Sequence, residues 1–305
     1  MSKFKFVLSL ITRDNDYQRE QARAAEDVAS RLGVDLEVLY ADSDSVMQSS
    51  QMLDMIHKRK SDLNGILVEP AGGTSFPQVG RAAVSAGMAW IILNRDASAI
   101  ADLRRNFPAP IFAVSSNHEE VGRIQSRQLA ALLPDGGSVL CILGPSSSLT
   151  VQQRLTGLQE AKPANITLRI LKSSNWTEEG GYHAVSSWLR LTTSHQQTIS
   201  AVSAQNDLIA LGARRAFEEA ANSEEKKHWL HLPFLGVDGL PKTGQAWVSG
   251  GSLAATVVIP AVAGPAMEIV VEAVSKKTRP ADLHLIPARS FPAVESLRPA
   301  AVQHS

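Results

Sequence analysis

"AVSAQNDLIALGARRAF", residues 201–217, changes period in its middle. The residues up to Ser203 are small and β-prone, whereas Leu208 to Phe217 repeat apolar residues at helical spacing on an alanine-rich background. A short apolar strand that passes through a polar tip into an amphipathic helix is half of a parallel β-α-β unit. The tip holds three polar side chains, Gln205, Asn206 and Asp207, where a bare turn would do. Asp207 reads as the N-cap of a helix beginning at Leu208, and Asn206, one residue nearer the strand, as the side chain that faces a ligand. An amide can both donate and accept, as a ligand hydroxyl requires.

The same unit recurs along the chain. Strands are predicted at 5–11, 35–40, 65–68, 89–93 and 111–115, then at 138–143, 167–171, 198–203, 233–237, 254–258 and 283–286, with helices between them. Alternation of this kind predicts an α/β protein with parallel sheets covered on both faces. The Pro-containing stretch "DLRRNFPAPIFAVSSN" (102–117) breaks the rhythm near the one-third point and favours two sheets over one barrel. A chain of 305 residues is long enough for two cores.

Composition removes several classes of function. Lys+Arg and Asp+Glu are both 30, so the basic surplus of a nucleic-acid binder is missing. The single cysteine, Cys141, excludes an intrachain disulfide and reads as a buried strand residue in "SVLCILG". His228 and His231 of "HWLH" have no grouped partners with zinc spacing. No run approaches the roughly 20 apolar residues of a membrane span, so no membrane insertion is expected. The first residues, "MSKFKFVLSLITRDND", carry too short an apolar run for a signal peptide, which predicts a cytoplasmic protein unless the natural start lies upstream. There is no G-x-G-x-x-G after the first strand, no phosphate-binding P-loop and no G-x-S-x-G elbow, so neither an enzyme nor a cofactor is expected.

Ligands of doubly wound sheets bind beyond the carboxyl ends of the strands. Here those ends read "TRDNDY" (12–17), "EPAGGTS" (69–75), "NRDAS" (94–98), "SSNW" (173–176), "AQND" (204–207) and "VDG" (237–239). Each alone is an ordinary turn or cap. Together they place arginine, amides, carboxylates and the aromatics Tyr17 and Trp176 at one level. Such a set suits a sugar, whose C–H face stacks on a ring while its hydroxyls need donors and acceptors.

At these residues the chain resembles the type I periplasmic sugar-binding proteins and the effector domains of lactose-repressor-type regulators. The carriers are "ILNRD", "SSNHEEVGRIQSRQLAALLPDGGSVLCILGP", "QQRLTGL", "AVSAQNDLIALGARRAF" and "FLGVDGLPKTGQAWVSGGSLAATVV", in this order and covering nearly the whole chain. The resemblance implies two doubly wound parallel-sheet domains joined by a three-segment hinge, with the ligand cleft between them. One lobe would comprise 1–115 plus 259–287, the other 116–258 plus 288–305.

The resemblance also assigns the ligand residues. Asn94 and Arg95 match the pair that grips ring hydroxyls, and Arg154 the arginine that reaches the sugar from the second lobe. Trp176 takes the stacking place, Asn206 and Asp238 match the amide and carboxylate, and Asn15 and Tyr17 fall in the first-lobe loop. That loop is about two residues longer than in ribose binders. Ile259 stands where ribose binders carry a glutamine, which argues against ribose, and Gln205 is the candidate to compensate. The function implied is non-catalytic binding of a small carbohydrate by hinge closure, with an ABC permease or a sensor kinase as partner. The alternative is the sensing domain of a regulator acting through a separate partner. No helix-turn-helix is expected, because the first strand begins at about Phe4.

Overall fold

The computed structural model describes residues 3–59, 62–72, 76–95, 97–191, 198–220, 226 and 229–299. Residues 73–75 of the third strand-end loop, Asp96 and His228 lie outside them.

The chain divides into two compact units, 1–116 with 260–286 and 117–259 with 287–305. Unit 1 alternates β1 (Lys5–Leu10), α1 (Asp16–Leu32), β2 (Asp35–Tyr40), α2 (Ser45–Lys58), β3 (Gly65–Val68), α3 (Pro77–Ser85), β4 (Ala89–Leu93), α4 (Ala101–Asn106) and β5 (Ile111–Ser116). Unit 2 follows with α5 (His118–Leu132), β6 (Gly137–Leu143), α6 (Leu149–Ala161), β7 (Ile166–Lys172), α7 (Glu178–Leu189), β8 (Ala201–Ala204), α8 (Asp207–Ala220), β9 (Phe234–Asp238), α9 (Gly244–Ser249) and β10 (Ala255–Val258). The chain then returns to unit 1 with α10 (Ala263–Lys276) and β11 (Leu283–Ile286), and ends in unit 2 with β12 (Arg289–Phe291).

The expected class is what the structure has: two α/β units, each built on one mainly parallel sheet. Their strand orders are β11-β5-β4-β3-β1-β2 and β12-β10-β9-β8-β6-β7. Central strands such as β3, β4 and β5 are buried along their whole length, because helices cover both faces. In unit 1, β1 and α1 pack with α10 around Phe6, Leu8, Phe112 and Met267, while α2 and α3 cover the opposite face around Met52, Trp90 and Ile92. Cys141 is buried in β6, and burial pushes its thiol up to about 12, in keeping with a core role.

Two details depart from expectation. The broken stretch before β5 holds the short helix α4 instead of only loop. The sequence around Arg289 was not expected to form a strand, yet β12 pairs antiparallel with β10, the one antiparallel pair among those described. A three-residue strand is too short to show a period, so only pairing reveals it.

Helices α5 and α6 touch backbone to backbone. A Cβ added at Gly157 would collide with the Glu119 carbonyl oxygen, and one at Gly122 with that of Arg154. This reciprocal pair sets the distance of α6, and of Arg154 on it, from the rest of unit 2. Gly157→Ala must force the helices apart, and we expect a loss of about 1–3 kcal/mol, read as a lower urea midpoint.

Candidate functional site

In unit 1 the chain leaves β1 and is turned back by its own side chains. The Ile11 amide donates to Gln18 Oε1 at 2.9 Å. Asn15 caps α1, its Oδ1 accepting from the amides of Tyr17 (2.8 Å) and Gln18 (3.3 Å). The structure therefore gives the Asn15 oxygen to the helix. Tyr17 stands half-buried in the first turn and its hydroxyl accepts from Asn94 Nδ2 at 3.4 Å.

Asn94 follows β4 in a left-handed conformation (φ 54°), which asparagine tolerates better than most residues. The same Nδ2 donates to Glu69 Oε1 at 2.9 Å. Arg95 turns its guanidinium onto backbone, donating to the carbonyls of Asn94 (2.9 Å), Pro70 (3.0 Å) and Gly72 (2.9 Å). Gln48, buried on α2, donates to Ser9 Oγ and the Glu69 carbonyl and accepts from the Ala71 amide, so the backbone around residue 69 is pinned from a second side.

Glu69 is the residue that reasoning from sequence missed. It follows β3 directly and is only 5% exposed. Burial raises its carboxyl above the ordinary range, opposed by the Asn94 amide, by Gln18 and by the positive charge of Arg95. The available signal was "GILVEP": a carboxylate set straight after a wholly apolar strand needs a partner.

In unit 2, Arg154 is 5% exposed on α6. Its guanidinium donates to the Gln205 carbonyl, lies 3.9 Å from Asp238 Oδ1, and sits 5.7 Å from the Trp176 ring centre. Asp238 ends β9 with φ 102°, a conformation that costs energy in any residue but glycine. Trp176 lies over Gly144, where any Cβ would strike its ring, and packs against both apolar clusters of unit 2. Arg154, Trp176 and Asp238 are thus brought together.

The cap expected at Asp207 falls to Asn206. Helix α8 begins at Asp207, so the cap is Asn206, whose Oδ1 accepts from the Ile209 amide at 2.8 Å. Its Nδ2 donates to the Trp176 carbonyl at 2.9 Å. Asn206 therefore holds the tryptophan loop onto α8 with both ends of its amide. Asp207 points inward and is 4% exposed, with Oδ2 accepting from the Gly239 amide (2.8 Å) and Oδ1 from the Thr256 hydroxyl (2.6 Å). Burial, and then the negative charge of Asp238, raise its carboxyl well above the ordinary value, against the Thr256 and Gly239 hydrogen bonds and Arg154.

Gln205 does not compensate for Ile259. Its Oε1 accepts from the Gly144 amide at 3.2 Å and its Nε2 donates to the Val151 carbonyl at 3.0 Å, fastening the loop between β6 and α6. Ile259 is buried and only its amide is used, donating to the Asp238 carbonyl at 3.0 Å. Among the described residues no group of three or more His, Cys, Asp and Glu is placed to hold a metal ion.

The match to the periplasmic binding protein domain runs from residue 6 to residue 278. The chain belongs to this family. Its members are binding proteins, not enzymes. A Rhizobium meliloti protein named as rhizopine-binding is 26% identical over 220 residues, 70% of this chain and 68% of its own length. The ribose import binding protein RbsB of Escherichia coli (strain K12) is 25% identical over 259 residues, 84% of this chain and 79% of its own. An ABC transporter periplasmic solute-binding protein from Actinobacillus succinogenes 130z, solved with bound D-allose, has the same fold with a TM-score of 0.81 at 22% identity, covering 96% of this chain and 98% of its own. No helix among the described residues is long and apolar enough to cross a membrane.

Two outcomes follow from this cap assignment. Asn206→Ala removes a helix cap and should lower the unfolding free energy by about 1 kcal/mol in urea titrations. Asp207 holds its proton in the folded state above the ordinary value of 3.8. The unfolded chain releases that proton first, so stability falls as pH rises from there through the raised folded value. Asp207→Asn cannot titrate; urea midpoints of the wild type relative to this variant should decline between pH 4 and pH 8, and a constant difference contradicts the buried protonated carboxyl.

Proposed function

We propose that this chain binds a small carbohydrate or polyol without chemical change, as the solute-binding component of an ABC-type importer or of a sugar-sensing pathway. The observation that carries this reading is the grouping of Arg154, Trp176 and Asp238 at the strand ends of unit 2. The arginine and the carboxylate can each engage a ring hydroxyl by charge-assisted hydrogen bonds, and the indole supplies an apolar face. In unit 1, Tyr17, Asn94 and Arg95 are the proposed counterpart. Asn15 and Asn206 act on the ligand only through the loops they cap.

Arg154 belongs to the binding machinery on two counts. Its burial beside Asp238 leaves each charge dependent on the other, so the pair is oriented before any ligand arrives. Its donation to the Gln205 carbonyl fixes which face of the guanidinium is presented. In this reading residues of both units hold the ligand, and binding favours the closed arrangement of the hinge. The relatives named for ribose import and crystallised with D-allose support a neutral ring with several hydroxyls as the general class. The family's compartment supports a periplasmic site of action, and an ABC permease or a sensor kinase as the partner that reads closure.

Calorimetry against pentoses, hexoses and cyclitols tests the reading. A Kd near the micromolar range, about −8 kcal/mol, is expected for one member. Arg154→Met should weaken it by about tenfold or more, with the melting temperature checking that unit 2 remains folded. A folded protein that gives no heat with any member, or that consumes the sugar it binds, contradicts the proposal.

A further inference from the structure

A cavity of about 300 Å³ opens in unit 2 where β9 and β10 begin, at the end of the sheet away from Asp238. That volume lies at the lower end of what small-molecule sites occupy. Its floor is apolar: Phe234 and Leu253 are 1% and 2% exposed, and Leu132 at the end of α5 is buried beside them. Its rim is basic, with Arg214 of α8, His231, and Arg298 beyond β12. Among the described residues no aspartate or glutamate lines it. Both arginines are oriented without being neutralised. The Arg214 guanidinium lies 5.4 Å from the Phe234 ring centre, and its Nε is 3.5 Å from Oε1 of Glu218, a side chain 42% exposed. A contact of that length to a solvated partner one helical turn away contributes little. Arg298 Nη1 donates to the carbonyls of Glu295 and Leu297, each at 3.1 Å, and neutral acceptors leave its positive charge in place.

We propose that this cavity is a second binding site, which takes a small organic carboxylate with an apolar body. Phe234 and Asp238 are the two ends of β9, about 13 Å of strand apart. The cavity shares no residue with the group formed by Arg154, Trp176 and Asp238. The inference therefore goes beyond the carbohydrate reading and does not depend on it. A carboxylate meets a guanidinium fork with two parallel hydrogen bonds, so the rim selects for it. An apolar body removes from water what the floor still exposes. An inorganic anion would satisfy the rim and leave the floor wet. A neutral apolar molecule would cover the floor and desolvate two arginines without a counter-charge. Only a ligand that joins the two features meets both demands.

The test is calorimetry on the full chain at neutral pH, with benzoate as the probe and benzyl alcohol and sulfate as controls. Benzoate should bind with a Kd of about 1 mM or tighter, and about tenfold or more tightly than either control. Arg298→Gln, at an exposed position, and Arg214→Gln should each weaken benzoate by about tenfold. Benzoate that binds either folded variant as tightly as the wild type lies elsewhere and overturns the inference. Equal binding of benzyl alcohol shows that no charge is recognised, and equal binding of sulfate shows an adventitious ion only; each overturns it. So does the absence of heat from benzoate up to about 10 mM. If Arg214→Gln does not fold, Arg298→Gln decides.

Discussion

One buried carboxylate organises unit 2. Asp207 opens α8, yet its side chain is turned away from the helix end toward the turn after β9 and the neighbouring strand β10. Room for it exists because two glycines flank it: a Cβ at Gly236 or at Gly244 would strike one of its oxygens. By accepting from the Gly239 amide, Asp207 fixes the residue that follows Asp238. Asp238 can then hold a left-handed backbone that it would not choose alone, with its carboxylate toward Arg154. The energetic cost of burying Asp207 is offset by hydrogen bonds from the Gly239 amide and the Thr256 hydroxyl. Placement of the Asp238 carboxylate beside Arg154 thus depends on a second, buried carboxylate.

The two units repeat a single plan with different chemistry at the tips. Strand orders coincide position by position, so β3 corresponds to β8 and β4 to β9. The residue after β4 (Asn94) and the residue ending β9 (Asp238) both have positive φ, at 54° and 102°. A shared geometric device therefore presents a side chain at the same level of each sheet, an amide in one unit and a carboxylate in the other. The arginines differ as well. Arg95 is drawn onto the 70–72 backbone, whereas Arg154 is shared among a carbonyl, a carboxylate and an indole.

Much of this was readable from the chain. Apolar runs of four to seven residues alternating with amphipathic helices specify parallel sheets almost regardless of detail, because a strand buried on both faces must be apolar at every position. The grouping of Arg154, Trp176 and Asp238 was legible through the family resemblance, which assigned all three by motif; from residue type alone only Trp176, an aromatic beside a polar strand tip, stood out. Asparagine and aspartate carry no such signal. At 205–207 the helix starts one residue earlier than its apolar period suggests, and that single step transfers the cap from Asp207 to Asn206 and sends the aspartate inward. Period sets a helix face but not its first residue. Asn15 shows the same ambiguity, since an asparagine before a helix is equally a cap and a ligand group until its oxygen is seen to be used.

Glu69 was illegible for a deeper reason. Its importance comes from Asn94, twenty-five residues away, and from the pairing of β3 with β4 that brings the two together. The local signal in "GILVEP" says that the carboxylate needs a partner but not which residue supplies it. Its burial follows from the sheet above it being covered on both faces. The two residues are tied by one hydrogen bond, from Asn94 Nδ2 to Glu69 Oε1. The pairing is therefore a property of the strand register that sets the two residues side by side, and a change in either alters the surroundings of the other.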